Sequence, residues 1–127
     1  MAFKFEELKI WQKALEISFK INELTKCFPK EEVYVLTSQI KRAADSISLN
    51  IAEGSTGQSD AEFNRFLGIA MRSAIEVIAC LYIAKKRKII EDVKFNELYS
   101  EIESLTISIQ SLRKILKNKK ITVDSRL

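Results

Sequence analysis

Chain-breaking residues are scarce in this sequence: three glycines and one proline in 127 residues. A β-sandwich or a doubly wound α/β fold needs a turn after every short element and so uses more of both. Few breakers leave room only for a few long elements. Apolar residues at 46% are spread along the chain, which excludes a disordered one. The length suits a single domain with one core.

Pro29, the pair Gly54 and Gly57, and the KRKIIED stretch at residues 86–92 divide the chain into four segments. Each segment has helical periodicity. In the first, about residues 5–27, Ile10, Ala14, Ile17, Ile21, Leu24 and Phe28 form one stripe. Leu8, Trp11, Leu15 and Phe19 form a second stripe beside it. Together they span an arc of about 220° at about 100° per residue, wider than one bundle core requires. The second segment, about 31–53, carries Val33, Leu36, Ile40, Ala43, Ala44, Ile47 and Ile51. Pro29, Glu31 and Glu32 suit its start, and Gly54 suits the C′ position after its last turn.

The third segment, about 59–88, opens on a capping box, Ser59 with Glu62. Its core stripe is Phe63, Phe66, Leu67, Ala70, Ala74, Val77, Leu81 and Ala84. Met71, Ile75, Ile78 and Tyr82 form a further stripe along one flank. The fourth segment, about 93–118, repeats Phe95, Leu98, Ile102, Leu105, Ile109, Leu112 and Leu116 without a break, with Asp92 as its expected N-cap. The expectation is an all-α fold: an antiparallel up-down-up-down four-helix bundle over residues 1–118, followed by a basic C-terminal tail at 119–127. The surplus apolar stripes exceed what a soluble monomer exposes. They predict a homo-oligomer, with Met71, Ile75, Ile78 and Tyr82 as interface candidates.

The composition also excludes chemistry. There is no histidine, which removes imidazole acid–base catalysis, Ser–His and Cys–His pairs and imidazole metal sites. No P-loop or dinucleotide signature is present. The reading is a non-enzyme with no cofactor and no metal. Cys27 and Cys80 form no CxxC pair, which suits a reducing cytoplasm. Charges run through the N-terminus, and the apolar run at residues 77–84 is shorter than the roughly 20 residues a membrane span needs. A cytoplasmic protein without a membrane partner is expected.

Lys and Arg number 21 against 17 Asp and Glu, a net +4. That permits an acidic partner such as RNA without demanding one. Lys85, Lys86, Arg87 and Lys88 end the third segment; Arg113, Lys114, Lys117, Lys119 and Lys120 crowd the end of the fourth. Cations belong at helix C-termini in any case. The second cluster is the stronger RNA-binding candidate, because Glu91 and Asp92 follow the first and Glu31 and Glu32 face it across the bundle end. Aromatics are not interleaved with either cluster, so contacts would go to phosphates rather than stacked bases. A protein–protein adaptor with no nucleic-acid role is the other reading.

The second segment has an unusual polar row: Gln39, Arg42, Ser46, Asn50 and Glu53, spaced by three and four along one side. It serves either as a hydrogen-bonded row between helices or subunits or as a ligand or RNA contact. The run SQIKRAADSISLNIAEG at 38–54, with WQKA at 11–14, FPKEE at 28–32 and EFNRFLGIA at 62–70, resembles the small bacterial four-helix-bundle proteins encoded in intervening sequences of 23S ribosomal RNA genes. Ser73 and Glu76 also match that family; Arg72 stands where it usually has glycine. The resemblance implies a four-helix protomer, a ring-like homopentamer and an association with ribosomal RNA or the ribosome. It implies no enzymatic activity.

Overall fold

A computed structural model describes residues 2–126, with side chains through residue 118. Four α-helices carry the fold: α1 (Lys9–Thr25), α2 (Ser38–Ser55), α3 (Asp60–Lys86) and α4 (Asp92–Arg126). No strand occurs among the described residues. Short loops force each helix antiparallel to the one before it. α1 packs on α2, α2 on α3, α3 on α4, and α4 closes back on α1. The helices therefore stand around one core in chain order, with α1 diagonal to α3.

The core follows the sequence stripes. Ala14, Ile21, Ile40, Ile47, Ile51, Leu67, Val77, Leu81, Ile102, Leu105 and Ile109 are buried in it. Ser59 caps α3 as its spacing predicts, accepting the Glu62 amide at 3.1 Å. α3 is long and apolar enough to cross a membrane by length and composition alone. The eight-residue apolar run understates this, because small neutral residues extend the window. In the bundle, Phe63, Leu67, Ala70, Ala74, Val77, Leu81 and Ala84 face the core.

Four details differ from expectation. The approach to α2 is not plain α-helix: a 3₁₀ turn at Lys30–Glu32 leads into a π-helical turn at Val33–Thr37. The wider turn breaks the three-and-four spacing. Leu36 stays in the core, but Val33 swings out to 43% exposure. Gly54 is not the residue after α2 but lies inside its last turn, and the helix ends at Thr56 in right-handed geometry. Asp92 is the first residue of α4 rather than its cap, a one-residue boundary difference. The second stripe of α1 divides. Leu8 and Trp11 pack against the core edge, whereas Leu15 and Phe19 remain 49% and 57% exposed.

Candidate functional site

The polar row of α2 lies along the seam with α3. Its centre is Ser46, whose hydroxyl accepts from Ser73 Oγ of α3 at 2.8 Å and from Asn50 Nδ2 at 2.9 Å. Asn50 also donates to the Ser46 carbonyl at 2.8 Å. Gln39 Nε2 donates to Glu76 across the seam at 3.4 Å. Helical spacing brings these groups together: Ser46 and Asn50 are one turn apart on α2, and Ser73 and Glu76 one turn apart on α3. Arg42 and Glu53, expected to join the row, are exposed. Neither makes a side-chain hydrogen bond or ion pair among the described residues.

Beside the row lies an open groove of about 570 Å³, lined by Tyr34, Val35, Gln39, Arg42, Ser46 and Glu76 among others. Tyr34 is 93% exposed at its rim. The π-helical turn presents Tyr34 and Val35 there, so no helical period in the sequence reveals them. The groove offers the Arg42 guanidinium, the Glu76 carboxylate, the Gln39 amide and the hydroxyls of Tyr34, Ser46 and Ser73. Among the described residues, neither Ser46 nor Ser73 is hydrogen-bonded to a base that would activate it. No cluster that could hold a metal ion occurs among the described residues. Burial pushes the Cys80 thiol upward, with Glu76 adding to the shift, which keeps it protonated and inert.

The two basic clusters lie at opposite ends of the bundle. At one end, Arg87 pairs with Glu32 at 3.0 Å, and Lys85 Nζ sits 4.5 Å from the centre of the Phe95 ring. At the other, Arg113 lies in the α3–α4 seam. Its Nε donates to Asn64 Oδ1 at 2.8 Å, and Nη1 donates to Gln110 at 3.2 Å. The guanidinium lies over Gly68, where an added Cβ would stand 3.2 Å from Nη2. The missing side chain at Gly68 makes that berth, a role unread in the sequence. Lys114 and Lys117 are exposed. The Lys119 and Lys120 side chains, and the tail from 119 onward as a separate unit, lie outside the residues whose side chains are described.

The flank stripe of α3 is split by its neighbour α4. Met71 and Ile78 pack against the core. Ile75 is 60% and Tyr82 52% exposed, although Tyr82 meets Phe95 edge-on at 4.8 Å. Ile75 and Ile78 line a shallow groove of about 220 Å³ with Tyr99 and Ile102 of α4.

These features define a class: an all-α four-helix bundle with a polar seam between its second and third helices. The chain matches the model of the 23S rRNA-intervening sequence protein family over residues 6–111, and it belongs to that family. It is similar to a crystal structure from Bacteroides thetaiotaomicron, a protein of unknown function from the S23 ribosomal protein family. The identity is 26%, covering 83% of this chain and 98% of that one, with a TM-score of 0.78. No curated protein matches the chain.

Proposed function

We propose that the chain is a non-enzymatic, homo-oligomeric bundle that contacts RNA phosphates through the cationic end of α4. The observation that carries the reading is the exposed apolar surface at Leu15, Phe19, Ile75 and Tyr82, which a soluble protein covers by association. Association multiplies weak charge. Lys114 and Lys117, exposed at one end of each protomer, become a circle of positive potential when copies stand side by side. Five copies are what the resemblance implies, and the family's name supports a link to ribosomal RNA.

Filter binding at two salt concentrations tests the RNA contact. Replacing Lys114, Lys117, Lys119 and Lys120 by Gln is expected to weaken binding much more than replacing Lys85, Lys86 and Lys88. Affinity should fall steeply with salt and vary little with sequence. Equal affinities for parent and α4 variant would remove this site. One observation favours the adaptor reading instead: Tyr34 stands almost wholly exposed beside Val35 and Arg42, and tyrosine and arginine dominate protein interfaces. Parental protein that binds no RNA at low salt decides for the adaptor.

A further inference from the structure

Arg42 of α2 and Glu76 of α3 line the same groove with opposite charges, yet no ion pair joins them among the described residues. The bond from Ser73 to Ser46 sets the register of the two antiparallel helices. Counting from it, Glu76 is level with Ala43, so Arg42 and Glu76 differ in height by one residue, about 1.5 Å. Glu76 accepts from Gln39 through Oε2 at 3.4 Å, which leaves Oε1 open. Two opposite charges, level on facing helices and held apart, leave a gap that a ligand carrying both signs can bridge.

Ser46 prepares one end of that gap. It stands one turn from Arg42 on α2. Its oxygen accepts from both Ser73 and Asn50, so its lone pairs are occupied and its proton is what it has left to offer. Ser48 and Ser55 of the same helix donate to carbonyls three residues back, at 3.1 and 2.7 Å; Ser46 makes no such bond. The guanidinium and this hydroxyl together suit a carboxylate, and Glu76 Oε1 suits an ammonium. Ala43 lies between them with a small side chain, and the π-helical turn sets the exposed Tyr34 and Val35 at the rim as apolar cover. Turns of this kind recur at functional sites. One cation and one anion line the groove, a balance that suits a dipolar ion and not a phosphate chain. About 570 Å³ is ample room for a molecule of amino-acid size.

We infer that this groove binds a free apolar α-amino acid, its carboxylate on Arg42 and Ser46, its ammonium on Glu76 and its side chain against Tyr34 and Val35. Only a free amino acid carries both charges on one carbon next to an apolar side chain; a residue within a chain carries neither, and a chain terminus carries one. The site is separate from the cations proposed to contact RNA, because the groove opens toward the α1–α2 loop and Lys114 and Lys117 lie toward the other end of the bundle.

Calorimetric titration of the full chain with L-phenylalanine and L-leucine tests the site, beside two blocked forms: N-acetyl-L-phenylalanine, which lacks the ammonium, and L-phenylalanine amide, which lacks the carboxylate. Both amino acids are expected to bind saturably, and each blocked form to bind at least roughly tenfold more weakly, since each forfeits one charge-assisted contact. Arg42→Gln should weaken L-phenylalanine by a similar factor and leave the amide unchanged. Glu76→Gln should weaken L-phenylalanine and leave the N-acetyl form unchanged. Both positions are exposed, and circular dichroism checks that each variant keeps the parent's helix content. No saturable heat from either amino acid at about 10 mM, a concentration that reveals even millimolar affinity, overturns the inference. So does an N-acetyl form that binds as well as L-phenylalanine, which would make the groove a reader of chain ends. Binding that neither substitution weakens lies elsewhere on the bundle and overturns it too.

Discussion

Gly54 of α2 lies directly against Phe66 of α3: a Cβ built on Gly54 would stand 2.6 Å from the Phe66 Cβ. That contact, not a left-handed helix end, is what requires glycine at this position. No described glycine has a positive φ. In Gly54→Ala, intrinsic helix propensity favours the variant by about 1 kcal/mol. The Phe66 Cβ is fixed to its own backbone and cannot step aside, so the helices must separate. Overpacking of this kind costs about 1–3 kcal/mol. We expect a lower melting temperature for Gly54→Ala, and a rise would show that the close approach is not needed.

Where α3 ends, Lys88 holds φ 60°, the left-handed position, and is the one non-glycine residue to do so among those described. The Ile89 amide reaches back to the Ala84 carbonyl at 2.8 Å and the Lys88 amide to the Lys85 carbonyl at 2.9 Å. This is the Schellman pattern, which usually employs glycine at this site. A side chain in left-handed geometry costs about 1–2 kcal/mol, and glycine returns part of that as chain entropy. Lys88→Gly is expected to stabilise the fold by about 0.5–1 kcal/mol, read as an upward shift in the urea midpoint. An unchanged or lower midpoint would contradict the strain at Lys88.

Much of this architecture is visible in the residue order. The stripes Ile10–Phe28 and Phe95–Leu116 give their helices and buried faces directly, because a 3.6-residue period is a strong signal over about five or six turns. Ser59 announces the start of α3 for the same local reason. The errors fall where tertiary contacts decide. Nothing in the spacing of Val33 to Thr37 marks a π-helical turn, and so Tyr34 and the groove it rims were not foreseeable. Gly54 carries the right residue for a helix end, but its role is set by a helix far away in sequence. Arg113 reads as one more free cation at a C-terminus, yet Asn64 and the space over Gly68 hold it in a seam. Of the polar row, Ser46 and Asn50 are tied in place, while Arg42 and Glu53 lie on the surface, a difference of only some tens of degrees around α2.

That division within the row makes a third prediction. Ser46→Ala removes the acceptor used by both Ser73 and Asn50. The Ser73 hydroxyl is buried and loses the partner it donates to, a loss of about 1–2 kcal/mol. Arg42→Ala removes an exposed side chain without a partner, so protomer stability should change by less than about 0.5 kcal/mol. Urea titrations of the two variants, run beside the parent, compare these directly. Equal losses would mean that Arg42 is engaged in a contact, and repeating both titrations at widely different protein concentrations would then separate subunit contacts, which weaken on dilution, from contacts within the protomer.

The two cysteines should behave as opposites toward a thiol reagent. Cys27 is exposed just after α1, whereas Cys80 is buried in α3. Alkylation requires the thiolate and physical access. Cys80 lacks both, since desolvation raises its pKa above the ordinary thiol value and Glu76 raises it further. Labelling of Cys80 must wait for the α2–α3–α4 core to open, and its rate reports the population of that open form. With iodoacetamide at pH 8, intact-mass measurement should show one fast adduct and a second that is slower by a factor of about 1,000 or more, given ordinary domain stability. In denaturing urea both adducts should form at the same rate. Comparable rates in the native protein would mean that α3 leaves the core readily, and Gly54→Ala, which loosens that same packing, should then speed the second adduct further.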